Sequence, residues 1–330
     1  MDLITAQGLT LASQATLPSA MADAWLGYGL SGAALLFFTT ATLLTRPASE
    51  RMTLSLGFLV ATATNVLFSA LAWGVQLLWR GPGAPFDLQA FFYFVTAGVL
   101  ATYLGRWFFY ESVVRFGPAK ASVFQVSSPL FTALIAWLAL GEHLQPLVFF
   151  AMALAMAGLL LVSVKPGGKS PSPQPASKGA SLLESLMKSV LLLGVGSSLA
   201  YSMGHVLRGA AVRDWNEPIL GGLLGALAGL LLNLLTSPEK GELLARLRAA
   251  DRRGLWFYSL IGVFTISGQI CSIGAMRYIP ISVAALVTLC TPLLVFPLSH
   301  WLLKSREEIT PALFVGSAMT LVGIAIVVLR

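Results

Sequence analysis

Polar residues are sparse along this chain and recur at intervals. Between them lie ten stretches rich in Leu, Ala, Val, Phe and Gly, at about 24–44, 53–79, 88–110, 117–139, 146–164, 187–208, 218–236, 254–277, 281–303 and 310–329. About 20 apolar residues in a helix cross the hydrocarbon core of a bilayer. Backbone N–H and C=O groups meet no water there, so such runs must close their hydrogen bonds internally, as helices. The short alternating segments of a membrane barrel are absent. The pattern predicts an all-α integral membrane protein with ten transmembrane helices.

Three polar stretches organise these runs. Residues 165–186 begin KPGGKSPSPQPASKGA, which has little apolar area to bury and predicts a flexible linker. The linker divides the chain into five-helix halves, 24–164 and 187–330. An odd helix count per half inverts the second relative to the first. Residues 1–23 contain Asp2 and Asp23 but no Lys or Arg. They lack the basic start of a secretory signal and predict a flexible N-terminal tail. Residues 238–253, PEKGELLARLRAADRR, place Leu243, Leu244 and Leu247 on one helical face. That stretch is either a short amphipathic helix on the membrane surface or a set of orientation charges.

The two halves repeat one another in sequence. With Pro129 set on Pro292, Ala121 meets Ala284, Gln125 meets Thr288, Ser127 meets Cys290 and Ser128 meets Thr291. After a two-residue insertion Glu142 meets Glu307, Pro146 meets Pro311 and Gly158 meets Gly323. Duplicated halves of opposite orientation are the layout of many secondary transporters, whose sites lie between the repeats.

Composition narrows the class. The chain is 56% hydrophobic and 11% charged, against roughly 25% charged in a soluble domain. The net charge of +7 does not point to nucleic acid, because every Lys and Arg except Arg106 lies at or near a segment end. Cys271 and Cys290 lie inside apolar runs and read as small core residues. No cofactor or metal site is expected. His143, His205 and His300 are scattered, and neither HExxH nor GxSxG occurs, so an enzyme is not expected.

At the repeated motif the chain resembles the drug/metabolite transporter superfamily, and its EamA-type ten-helix members in particular. Gly117, Pro118, Ala119, Ala121, Ser122, Pro129, Leu140, Gly141 and Glu142 carry the resemblance in the first half. Pro280, Ser282, Ala284, Ala285, Pro292, Glu307, Gly316 and Gly323 carry it in the second. The first helix lacks the Trp-Gly pair often seen in the family, and Ser305–Arg306 stand where the first repeat has Leu140–Gly141. The resemblance implies a secondary transporter of a small organic metabolite. An amino acid or related compound moved by export is the leading expectation, and a sugar phosphate or nucleotide sugar exchanged by an antiporter is the alternative. A bacterial inner or plasma membrane is the expected location. The lipid bilayer and the solute are the expected partners, with a homodimer left open. A non-transporting structural membrane protein is the remaining alternative.

Candidate site residues follow from depth and symmetry. A mid-membrane Arg costs roughly 2.5–3.5 kcal/mol on insertion scales, so Arg106 needs a reason to be there. The repeat sets Gly105–Arg106 on Gly268–Gln269, and Arg106 and Gln269 are expected to line one path. A guanidinium fork suits a carboxylate; the alternative is snorkelling or a bond within the bundle. Arg106 is the single cation expected at depth. Gln125 and Thr288 are the next symmetric pair, and Pro129 and Pro292 free carbonyls for a kink or gate. Ser198, Tyr201 and His205 share a helical face, and Asn65 adds a polar group in helix two. Each of these polar residues serves either the path or a helix–helix bond. Glu111 is the one candidate for proton coupling, against an ion pair with Arg115; on balance facilitated or exchange transport is favoured over a carboxylate-driven proton mechanism. Odd-numbered connections hold 15 Lys and Arg and even-numbered ones 4, which places both termini outside. Family members are usually drawn with both termini inside. The two arguments agree only that the termini share a side.

Overall fold

Wherever the computed structural model describes the chain, the apolar runs are helical. It describes residues 3–81, 83–116, 125, 128–142, 145–163, 190–236, 241–291, 293–295, 298 and 311–328. The expected linker and Pro292 lie outside these residues. The first half comprises α1 (Leu3–Ser49), α2 (Leu54–Arg80), a three-part rod, α5 (Ser128–Leu140) and α6 (Pro146–Ser163). The rod runs through α3 (Leu88–Ala97), a π-helical stretch π1 (Gly98–Gly105) and α4 (Arg106–Phe116). The second half comprises α7 (Val190–Asp214), α8 (Pro218–Thr236), the short α9 (Leu243–Ala249), α10 (Arg252–Ala275), α11 (Ile281–Leu289) and α12 (Pro311–Val328).

The helix ends follow local chemistry. Asp87 accepts from Ala90 N at 2.8 Å and starts α3, and Asp251 accepts from Arg253 N and Gly254 N to start α10. Side-chain oxygens here satisfy donors that have no partner in the first helical turn. Prolines open α6, α8 and α12, where a missing N–H is harmless. Within the described residues, five helices are long and apolar enough to cross a membrane.

Two boundaries differ from the sequence pattern, and one reading left open by it is decided. The backbone of residues 3–20, expected as a loose tail, continues α1 as helix. That stretch holds no charge after Asp2, and extending an existing helix needs no new nucleus. The second correction matters more: α7 does not stop at 208 but runs to Asp214, which brings Arg208 inside the helix, away from its end. Third, α9 does form, and Leu247 packs against the cluster of Met52, Leu56 and Tyr258, so this side chain rests on the protein.

The packing repeats the symmetry of the sequence. Helix α1 lies along α10, and α7 lies along the α3–π1–α4 rod, which is the same pairing with the repeats exchanged. Likewise α2 on α10 is matched by α8 on π1 and α3, and α1 on α11 by α7 on α5. Pairings α2–α8, α5–α11 and α6–α12 map onto themselves. The chain is therefore an all-α integral membrane protein of two inverted five-helix repeats.

Candidate functional site

The π-helical stretch sits where both repeats press on one rod. Its first glycine, Gly98, faces Gly225 of α8; a Cβ on Gly98 would lie 2.5 Å from the Gly225 Cα. One turn on, Thr102 fills the notch of Gly229, and at the far end the Tyr201 ring would meet a Gly105 Cβ at 3.1 Å. Small residues let backbones approach in a membrane, where no water drives helices together. Short π-helical insertions concentrate at functional sites because they redirect side chains.

Arg208 of α7 is directed at this stretch. It is 5% exposed. Its Nη2 donates to Thr102 Oγ1 at 3.2 Å, while its buried Nε has no partner among the described residues. Tyr201, His205 and Arg208 are spaced by four and three and share one helical face. Buried His205 Nδ1 is also without a partner among the described residues. Tyr201 and Arg106 both lie near enough to act electrostatically on Arg208.

Arg106 begins α4. Its Cζ lies 4.1 Å from the centroid of the Phe58 ring of α2. Face contact of this kind stabilises a cation while leaving its in-plane N–H groups available. Among the described residues, neither Arg106 nor Arg208 is paired with a carboxylate. The expectation of one deep cation is corrected: there are two. The sequence pattern missed Arg208 because helix six was ended on it, although residue 208 extends the face of Tyr201 and His205 by three.

The other sequence candidates separate into distinct roles. Gln269 borders Gly225, and its buried Nε2 has no partner among the described residues. It lies one α8 turn from the Thr102–Gly229 contact, so the repeat-matched Arg106 and Gln269 both border the same rod. Gln125 and Thr288 do not act alike. Gln125 Nε2 donates to Ser197 Oγ at 2.9 Å, and Ser197 Oγ donates to Gly105 O at 2.9 Å. Thr288 Oγ1 instead bonds back to Ala284 O and Ala285 O of its own helix, both at 3.0 Å. Asn65 ties α2 to α10: with its amide oriented so that the nitrogen faces these carbonyls, it donates to Gly262 O at 2.6 Å and Ala61 O at 3.0 Å. Pro129 is buried beside Ser128, whose hydroxyl lies 3.0 Å from Ser202 Oγ. Glu111 is half-buried and engaged; the Arg115 side chain lies outside the described residues.

One further cluster joins the repeats at the end of the bundle that carries the N-terminal end of α11. Gly141, with φ +63°, ends α5 in the left-handed conformation that glycine adopts easily. The turn delivers Glu142, whose Oε1 accepts from Arg213 Nη2 at 2.8 Å and from Ile281 N at 3.0 Å. A carboxylate at the start of α11 also complements the helix dipole. Arg213 donates onward from Nε to Met276 O at 3.4 Å. An open recess of about 570 Å³ lies beside it, lined by Asp23, Arg213, Asn216, Arg277 and Tyr278. Neither Arg106 nor Arg208 lines that recess.

Comparison with known proteins agrees with this architecture. Residues 25–164 and 188–329 each match the model of the EamA-like transporter family. No curated protein matches the sequence. Among 29 matching chains of known structure, one, described only as a crystal structure of a protein, aligns with a TM-score of 0.67 at 16% identity. The alignment covers 94% of this chain and 97% of that one. At that identity the likeness speaks for the fold alone.

Proposed function

The chain belongs to the EamA-like transporter family, and from that premise we propose that it exports a small metabolite bearing a carboxylate, an amino acid or related compound, by alternating access. It is a multi-pass integral membrane protein, and members of its family are transporters. A bacterial inner membrane is the proposed location.

The observation that carries the reading is a pair of carboxylate-free guanidinia, half-buried Arg106 on Phe58 and buried Arg208 on Thr102. A buried charge costs several kcal/mol unless it is compensated. An anionic solute supplies that compensation and gains charge-assisted hydrogen bonds in return. The unmatched donors at Gln269 Nε2 and Arg208 Nε favour a ligand rich in acceptor oxygens. Repeats that pair with one another through matching contacts suit rocking about a shared centre.

A screen of amino acids, amines, nucleosides and sugar phosphates on purified protein, by thermal shift and by flux in proteoliposomes, tests this reading. Carboxylate-bearing solutes are expected to raise the melting temperature and to be transported, and amines are not. A profile led by amines or nucleosides would contradict it. The alternative, a sugar-phosphate or nucleotide-sugar antiporter, gains one specific support: buried Arg208 supplies a second cation beside Arg106, as a phosphate group would want.

For coupling, Glu111 is the sole proton candidate from the sequence, and it is engaged. Exchange or facilitated transport is therefore the proposed mode. Collapse of a pH gradient, and Glu111→Gln, are both expected to leave most of the uptake intact; abolition by both would establish proton coupling instead.

A further inference from the structure

We infer that buried Arg208 and half-buried Arg106 form a divided anion site, one guanidinium for each carboxylate of a short diacid or acidic amino acid. This rests on the transporter reading above and names the solute class of the same site.

The argument starts from separation. Arg208 is held by Thr102 and Arg106 by Phe58. Thr102 and Arg106 are four residues apart on one helical rod, about one turn along it. The two cations approach from different helices, α4 and α7, and rest on different supports. Two positive charges fixed apart match two negative charges fixed apart on one solute better than one compact phosphate, which would need both forks to converge. Each fork keeps donors free: Arg106 makes no hydrogen bond among the described residues, and Arg208 makes one. Gln269 Nε2 and His205 Nδ1, both buried and unpartnered among the described residues, remain for the polar backbone of the solute. Among the described residues no carboxylate pairs with either guanidinium, so the solute itself supplies both counter-charges.

Transport follows from the same charges. An empty carrier has to reorient with buried Arg208 and half-buried Arg106 lacking counter-charges, whereas a diacid cancels both charges. Reorientation of the loaded form is therefore favoured over that of the empty form, and the expected behaviour is exchange.

The test uses the full-length protein in proteoliposomes, with labelled succinate as the probe. Uptake into vesicles preloaded with unlabelled succinate is expected to exceed uptake into empty vesicles. Succinate and glutamate are expected to compete about tenfold or more better than alanine, as the loss of one charge-assisted contact implies. Arg208→Ala is expected to remove most of that preference, weakening succinate far more than alanine, and Arg208→Lys to restore part of it. Stabilisation of the purified protein by succinate, seen in wild type and lost in Arg208→Ala, gives a second readout that does not need flux. Equal competition by alanine and succinate in wild type would overturn the divided site and leave the transporter reading standing. Exchange of glycerol 3-phosphate but not succinate would replace the diacid with a phosphate ester. Absence of flux and of stabilisation by every solute tried would remove both the inference and the function it rests on.

Discussion

A guanidinium in hydrocarbon is tolerable only where something in the bundle meets it. For Arg106 that is the face of Phe58, and for Arg208 the hydroxyl of Thr102. Arg106 was legible from sequence, since it interrupts an apolar run and repeat symmetry gives it Gln269 as a mate. Arg208 was not, because a charge near the expected end of a run looks like an anchor, and only the true length of α7 shows otherwise. Asn65 was legible as polar but not as a tie: nothing in one sequence shows that Gly262 O lies 2.6 Å from its amide. Asn65→Leu is expected to lower stability by about 1–3 kcal/mol, by leaving buried groups unmatched, while transport by the folded fraction persists. Thermal unfolding and flux measured on the same sample check both halves. A large loss of flux at unchanged stability would move Asn65 into the solute path.

The element that distinguishes this bundle is π1, which the apolar pattern could not separate from ordinary helix, because Gly, Leu, Ala and Thr suit both. Its glycines make the contact: backbone meets backbone at Gly98 and Gly225. Gly98→Leu is expected to force α8 away and to destabilise by about 1–3 kcal/mol through overpacking, with flux falling further because Gln269 borders that seam. Measuring the unfolding temperature and succinate competition separates the two effects. At the bundle end, Glu142 was legible as a repeated motif residue but not as a latch between repeats. Its side chain is 8% exposed, whereas that of Arg213 is 36% exposed, so solvent screens part of the pair. Glu142→Gln is expected to weaken closure by about 1–2 kcal/mol. The readout is faster labelling of a cysteine placed at Ser282 by a membrane-impermeant maleimide. Unchanged labelling would mean that the latch is not a gate.

For the whole molecule, the sequence was most informative about architecture. Apolar run length, the polar tract at the midpoint and the Pro129/Pro292 register gave two inverted five-helix units, and the helix pairings reproduce that exchange symmetry. What it concealed was chemical asymmetry. Gln125 reaches across to Ser197 while Thr288 bonds within its own helix, and the repeat partner of Arg106 is the uncharged Gln269. The ten-span layout predicts that reporters fused to either terminus lie on the same side of the membrane; opposite sides would refute the helix count. The central claim is that two carboxylate-free arginines, buried Arg208 and half-buried Arg106, select and carry an anionic metabolite. The most direct measurement is flux of labelled glutamate and succinate into proteoliposomes containing equal amounts of wild type or the double variant Arg106→Ala/Arg208→Ala. The account predicts saturable uptake by wild type and loss of about tenfold or more in the double variant. Undiminished uptake by a folded double variant would contradict it.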